Sequence, residues 1–193
     1  MLSRPCVIGK CLEIDRSRHL GKTAIQALDS QRSTPVLMTA RQQIQQAQSL
    51  VQEIPRWSLH YQTAQDLLKT YQTQTQMFDR ATAAIAQGAT AAQQSQNPPH
   101  TSEQWKAIQN LWQGAIDDLE KIPSSSPVFG FAQQKISEYQ ANLDAVAQRI
   151  ALEQKAAKQL NLAKSTVEIA QARQETAQDL TGWQQTYAAW QTA

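Results

Sequence analysis

The chain has 193 residues, enough for one domain or two very small ones and enough to bury a hydrophobic core. Gln (32) and Ala (28) dominate while Gly (6) and Pro (7) are scarce, which points to an all-α protein and excludes a loop-rich β-protein. Net charge +2 with 18% charged residues advertises no strong electrostatic partner, two cysteines exclude a disulfide-dense scaffold, and no run of about 18 apolar residues is present to cross a membrane.

Residues 1–37 stand apart from the rest. They carry a net charge of +3 against −1 for residues 38–193, no aromatic residue and only two of the 32 Gln. Pro5, Gly9, Gly21 and Pro35 interrupt any periodicity, and only Leu20, Ile25 and Leu28 suggest a short helix. No apolar run follows the basic start, so it does not read as a secretory signal. The segment is expected to be a flexible or weakly helical basic arm, a candidate for disorder. Met38, at the change of composition, is a candidate start of the protein. Cys6 and Cys11 are spaced C-x4-C, with His19 further on. A structural zinc site needs four ligands, usually two close pairs, and His60 and His100 are distant and isolated. Free thiols on a mobile arm are expected. Gly21-Lys22-Thr23 resembles the end of a phosphate-binding loop, but Arg16 stands where that loop needs its first glycine.

Residues 38–193 read as helical hairpins in repeat. Ala40, Ile44, Ala47, Val51 and Ile54 step by three and four, as do Tyr61, Ala64, Leu68 and Tyr71, with Phe78 and Ile85 beyond. Trp105, Ile108, Trp112, Ala115, Leu119 and Ile122 repeat the rule, followed by Phe129, Ala132, Ile136, Tyr139, Leu143, Val146 and Ile150. Such steps place each set on one helix face. A shift of 68 residues superposes Ala47 on Ala115, Val51 on Leu119, Ile54-Pro55 on Ile122-Pro123, Ser58 on Ser126, Tyr61 on Phe129 and Tyr71-Gln72 on Tyr139-Gln140. Proline disfavours helical geometry in the residue before it, so Ile54 and Ile122 each close a helix. Ser58 and Ser126 stand where the next N-cap is wanted. The short link makes neighbouring helices antiparallel.

Asn97-Pro98-Pro99-His100 marks the next loop, with Thr101 or Ser102 as cap for the helix that carries Trp105. No Pro or Gly occurs between Gly130 and Gly182, and the apolar phase weakens at Glu153–Lys158, where a break is expected. Trp183 and Trp190 repeat the seven-residue spacing of Trp105 and Trp112, each second Trp followed by Gln. The expected organisation is thus long antiparallel hairpins, repeat or bundle-like and elongated, with copies over 39–94, 102–180 and, in part, 181–193. The last reads as a fragment or as a cap on the array. Large aromatics two turns apart are expected to be core, with a ligand-stacking platform as the other reading.

The string from Trp105 and Trp112 through Ile122-Pro123, Ser126-Pro127, Phe129 and Tyr139-Gln140 to Asn142-Leu143 resembles a helical repeat of uncharacterised, Gln-rich cyanobacterial proteins. Those often carry a membrane anchor upstream and have no activity to carry over. The resemblance covers residues 39–193 and is best over 103–150. The first copy departs from it: Leu59 stands where Pro127 stands, and Ala40 and Ile44 replace the tryptophans. The hairpins are also loosely similar to tetratricopeptide repeats, as architecture only.

No convergent nucleophile, base and stabiliser can be assembled, and no catalytic, cofactor-binding or metal-ligating residue is nominated. Asp117, Asp118 and Glu120 read as a solvated face, and Lys155, Lys158 and Lys164 as an ordinary mixed surface flanked by Glu153 and Glu168. The leading reading is a non-enzymatic helical-repeat module for protein interaction or scaffolding, cytoplasmic by default, with protein partners, homo-oligomerisation open, and no cofactor. The alternative is a portion of an envelope- or thylakoid-associated protein anchored elsewhere. A coiled-coil nucleic-acid protein rests only on a pI near 8.6 and is not favoured.

Overall fold

The computed structural model describes Cys6 and residues 11–192. Among them are six helices and no strand: α1 (Leu12–Ser30), α2 (Thr34–Gln52), α3 (Tyr61–Gln94), α4 (Ser102–Glu120), α5 (Phe129–Thr176) and α6 (Leu180–Thr192). The all-α expectation holds. The chain divides into two compact units, one of Met1–Pro98 with Ala107–Leu143, the other of Pro99–Lys106 with Asp144–Ala193.

In the first unit α1 packs along α2 and α2 along α3. The expected arm is therefore corrected over 12–37; residues 1–5 and 7–10 lie outside the described residues. α1 buries Ile14, Ser17, Gly21, Ala24 and Leu28, again in steps of three and four. The middle of that face, Ser17, Gly21 and Ala24, is made of small residues, which let neighbouring helices approach closely. Ser17 ties three helices together: its hydroxyl donates to the Ala47 carbonyl (2.8 Å), and the Tyr71 hydroxyl donates to the Ser17 carbonyl (3.0 Å). The residue that resembled part of a phosphate loop, Gly21, lies under the Tyr71 ring, where a Cβ would stand 2.8 Å from Cε1. Met38 falls inside α2, which begins at Thr34 after the N-cap residue Ser33 with Pro35 in its first turn, where proline's fixed φ suits a helix.

Positions 68 residues apart are buried alike, and the match begins earlier than residue 39. α2 buries Leu37, Ala40, Ile44, Ala47 and Val51, followed by Ile54; their equivalents Trp105, Ile108, Trp112, Ala115, Leu119 and Ile122 are all buried. Leu37, not Ala40, thus takes the place of Trp105. The Ile-Pro turns match bond for bond. Ser58 N–H donates to Pro55 O and Tyr61 N–H to Ser58 O; Ser126 N–H donates to Pro123 O and Phe129 N–H to Ser126 O, all at 2.9–3.1 Å. The serine hydroxyls accept the N–H two residues on, of His60 (3.1 Å) and Val128 (3.2 Å). These are turn-stabilising bonds, so each serine shapes the turn and does not serve as the N-cap expected of it. The aromatic position after the turn is half-buried in both copies (Tyr61, Phe129), whereas Val128 and Phe131 enter the core.

α3 leaves its last turn through Asn97, whose φ of 58° is left-handed, a conformation asparagine tolerates better than most residues. In the second unit α4 starts on a reciprocal capping box: Gln104 N–H donates to Thr101 Oγ1 (3.2 Å) and Thr101 N–H to Gln104 Oε1 (2.7 Å). Hydrogen bonds from its own backbone N–H and from the Thr101 side chain hold the Glu103 carboxyl below its ordinary range.

α5 runs unbroken from Phe129 to Thr176, so the break expected at Glu153–Lys158 does not occur. Ala, Gln, Lys, Glu and Leu all have high intrinsic helix propensity, and Arg149–Glu153 (3.3 Å) adds an i,i+4 pair. A weak apolar phase marks loss of a buried face, not the end of a helix. The chain turns instead at Ala177–Asp179.

Candidate functional site

Four places in the molecule bring together groups with chemical potential. The first is at the start of α1. Cys6 and Cys11 form a disulfide, both buried, so the expected free thiols are not found. Cys11 is the residue before the first turn of α1, and Glu13 in that turn brings a carboxylate oxygen to 2.8 Å from Cys6 Sγ and 3.7 Å from Cys11 Sγ. The three donor atoms lie within 4.8 Å of one another. The sulfurs are bonded to each other, so they present no thiolate to an ion. His19 is exposed and does not join the group. Ser58 donates its hydroxyl to the Cys6 carbonyl, which fixes this bridge to the first Ile-Pro turn.

The second is a cavity of about 370 Å³ between α3 and the second turn, with Lys69, Thr73, Gln74, Met77, Pro123 and Ser126 among its walls. The Thr70 and Thr73 hydroxyls donate back to Asp66 and Lys69 carbonyls of their own helix. No carboxylate, imidazole or thiol lines it. Its volume suits a small molecule, but its walls offer no acid–base pair.

The third comprises the charged groups noted in the sequence. Asp117 accepts from Gln113 Nε2 (2.7 Å) and Asp118 pairs with Lys121 (2.8 Å) on the outside of α4. Such exposed pairs contribute about 0–1 kcal/mol. Lys155, Lys158 and Lys164 are all exposed.

The fourth is the aromatic set, and here one sequence pattern has two fates. Trp105 and Trp112 are 6% and 4% exposed; Trp183, Tyr187 and Trp190 are 51%, 66% and 41% exposed. Trp112 packs against Tyr139 with ring centroids 5.0 Å apart, and His100 meets Trp105 edge-on at 4.8 Å. Tyr139 in turn lies on Gly88, where a Cβ would stand 2.7 Å from Cζ. Burial, and secondarily the Glu138 charge, raises the Tyr139 hydroxyl above its ordinary pKa. Glu138 loses solvation there, but bonds from Lys135 and Gln134 outweigh that and lower its carboxyl.

The two helices share a register. A shift of 78 residues superposes Trp105 on Trp183, Trp112 on Trp190, and the cap Thr101 on Asp179, whose carboxylate accepts the Gly182 N–H at 2.7 Å. α6 turns Thr186 and Ala189 inward and leaves Trp183, Tyr187 and Trp190 outside. Steps of four and three confine those three to about 60° of the helix perimeter. Trp190 Nε1 donates to Gln174 Oε1 of α5 (3.2 Å), while the buried Nε1 atoms of Trp105 and Trp112 have no partner. α6 holds no charged residue, and Leu180 extends the apolar face. Leu152, Leu160, Leu162 and Ile169 of α5 are exposed as well. Of the twelve exposed large hydrophobic residues among those described, eight lie between 152 and 190, which makes this the place where burial is most incomplete. The core expectation thus holds for Trp105 and Trp112 and is corrected for Trp183 and Trp190. No family model, curated protein or solved structure matches the chain.

Proposed function

We propose that the chain is a non-enzymatic helical-repeat module for protein interaction or scaffolding, of the kind found in the Gln-rich cyanobacterial repeat proteins its sequence resembles. One observation carries the reading: α6 is tied to α5 by the Trp190–Gln174 bond, yet presents two tryptophans and a tyrosine outward. Clustered aromatic side chains are what protein interfaces use at their centres. Purified chain immobilised as bait, beside a Trp183→Ala/Trp190→Ala bait, tests it. A defined protein from the source organism retained by the first and released from the second supports the reading. Identical retention on both baits removes it.

A further inference from the structure

The chain contains its own account of what covers such a face. In the first unit α2, with its Leu37–Ile44 pair, packs against α3, the helix that returns after Ile54-Pro55. In the second copy Trp112 packs against Tyr139 of α5, the helix that returns after Ile122-Pro123. The two returning helices share a ridge with a seven-residue step: Ala64, Tyr71 and Phe78 in α3, and Ala132, Tyr139 and Val146 in α5, all buried. α6 has the cap and the tryptophans of α4 in the same register, but among the described residues no returning helix lies on it.

We infer that the α6 face binds an antiparallel amphipathic helix of this returning type, with a small residue, a tyrosine and a large apolar residue at seven-residue steps. The inference rests on the reading of the chain as an interaction module and names its partner's chemistry. A second copy pairing α6 on α6 fits less well. It would set one tryptophan ridge against another, whereas close packing alternates large residues with small ones, as Ala132 and Tyr139 do opposite α4. A lipid surface also fits less well, because helices that lie in membrane interfaces are rich in Lys and Arg on their polar face and α6 has none.

The test adds a capped synthetic peptide of residues 124–147, which contains no tryptophan, to the full chain and follows tryptophan emission. A saturable blue shift is expected, with half-saturation on the order of 10–100 µM, weakened at least tenfold by Trp183→Ala/Trp190→Ala. A Trp183→Phe/Trp190→Phe chain, which keeps the apolar face, should retain binding when read by anisotropy of a labelled peptide. Binding that survives the double alanine substitution means the peptide has exchanged into the second copy, and overturns the inference. So does sedimentation showing the chain alone self-associating through these tryptophans with the peptide excluded. If the peptide fails to bind while a partner is still captured through Trp183 and Trp190, this inference falls and the interaction reading stands. If neither occurs, both fall.

Discussion

Two glycines in helix interiors are expected to respond oppositely to the same substitution. Glycine to alanine in a helix ordinarily stabilises by up to about 1 kcal/mol, through lost unfolded-state freedom and better helix propensity. At Gly114 of α4 the added Cβ meets only the end of the Gln87 side chain, at its amide nitrogen. That amide can swing aside at little cost, so Gly114→Ala should raise stability by about 0.5–1 kcal/mol. At Gly88 of α3 the Cβ would stand 2.7 Å from Tyr139 Cζ and 2.8 Å from its hydroxyl oxygen. Tyr139 has no free direction, because its ring is held by Trp112 with centroids 5.0 Å apart. Overpacking of this kind costs about 1–3 kcal/mol, which exceeds the propensity gain. Gly88→Ala should therefore destabilise by about 0.5–2 kcal/mol. For a chain of this length each kcal/mol moves Tm by about 2–4 °C, so the two variants separate clearly in thermal denaturation followed by circular dichroism. In a Tyr139→Ala background the Gly88→Ala penalty should vanish, the coupling expected of residues in contact. If Gly88→Ala raises Tm as much as Gly114→Ala does, the seat of Tyr139 on α3 is wrong.

Three further outcomes follow from the packing. Leu37→Ala should cost about 2–5 kcal/mol, and so should the loss of α1 by deletion; unchanged melting of either variant would restore the reading of residues 12–37 as a loose arm. Because the Tyr139 hydroxyl titrates higher folded than unfolded, its contribution is complete below the unfolded value near 10 and is lost as pH rises through the folded one. Urea midpoints from pH 9 to 11.5 should thus fall less steeply in Tyr139→Phe than in the parent chain, and parallel curves would refute this. Trp112→Ala should cost about 3–5 kcal/mol while Trp183→Ala stays within about 1 kcal/mol, and equal losses in denaturant titration would mean that Trp183 is core.

The residues explain how far the sequence could be read. Pro55 and Pro123 fix the hairpin turns because proline acts locally, through its own φ and the residue before it. An antiparallel hairpin closed at Ile122-Pro123 accounts for the Trp112–Tyr139 contact. α1 was hidden because Ser17, Gly21 and Ala24 carry no apolar signal, although they keep the three-four spacing. Their value lies in being small, which only the Tyr71 ring and the approach of α2 reveal. Leu37 was missed because the change of composition at Met38 coincides with no structural boundary: α2 has already begun at Thr34. The disulfide was illegible because C-x4-C spacing alone does not tell a bridge from two thiols.

The tryptophans mark the sharper limit. Trp112 and Trp190 sit in equivalent positions, after equivalent caps, at the same distance from a preceding Trp. The tryptophan spacing and the cap alone do not distinguish buried from exposed. The difference lies in whether a second helix packs on the face, which periodicity does not state. An amphipathic helix states that its face is to be covered, and leaves the covering element unnamed. In α2 and α4 that element is the same chain's returning helix. α6 is uncharged, and its Trp190 Nε1 donates to Gln174 Oε1 of α5. Trp183, Tyr187 and Trp190 are presented outward, and covering their apolar surface would be favourable.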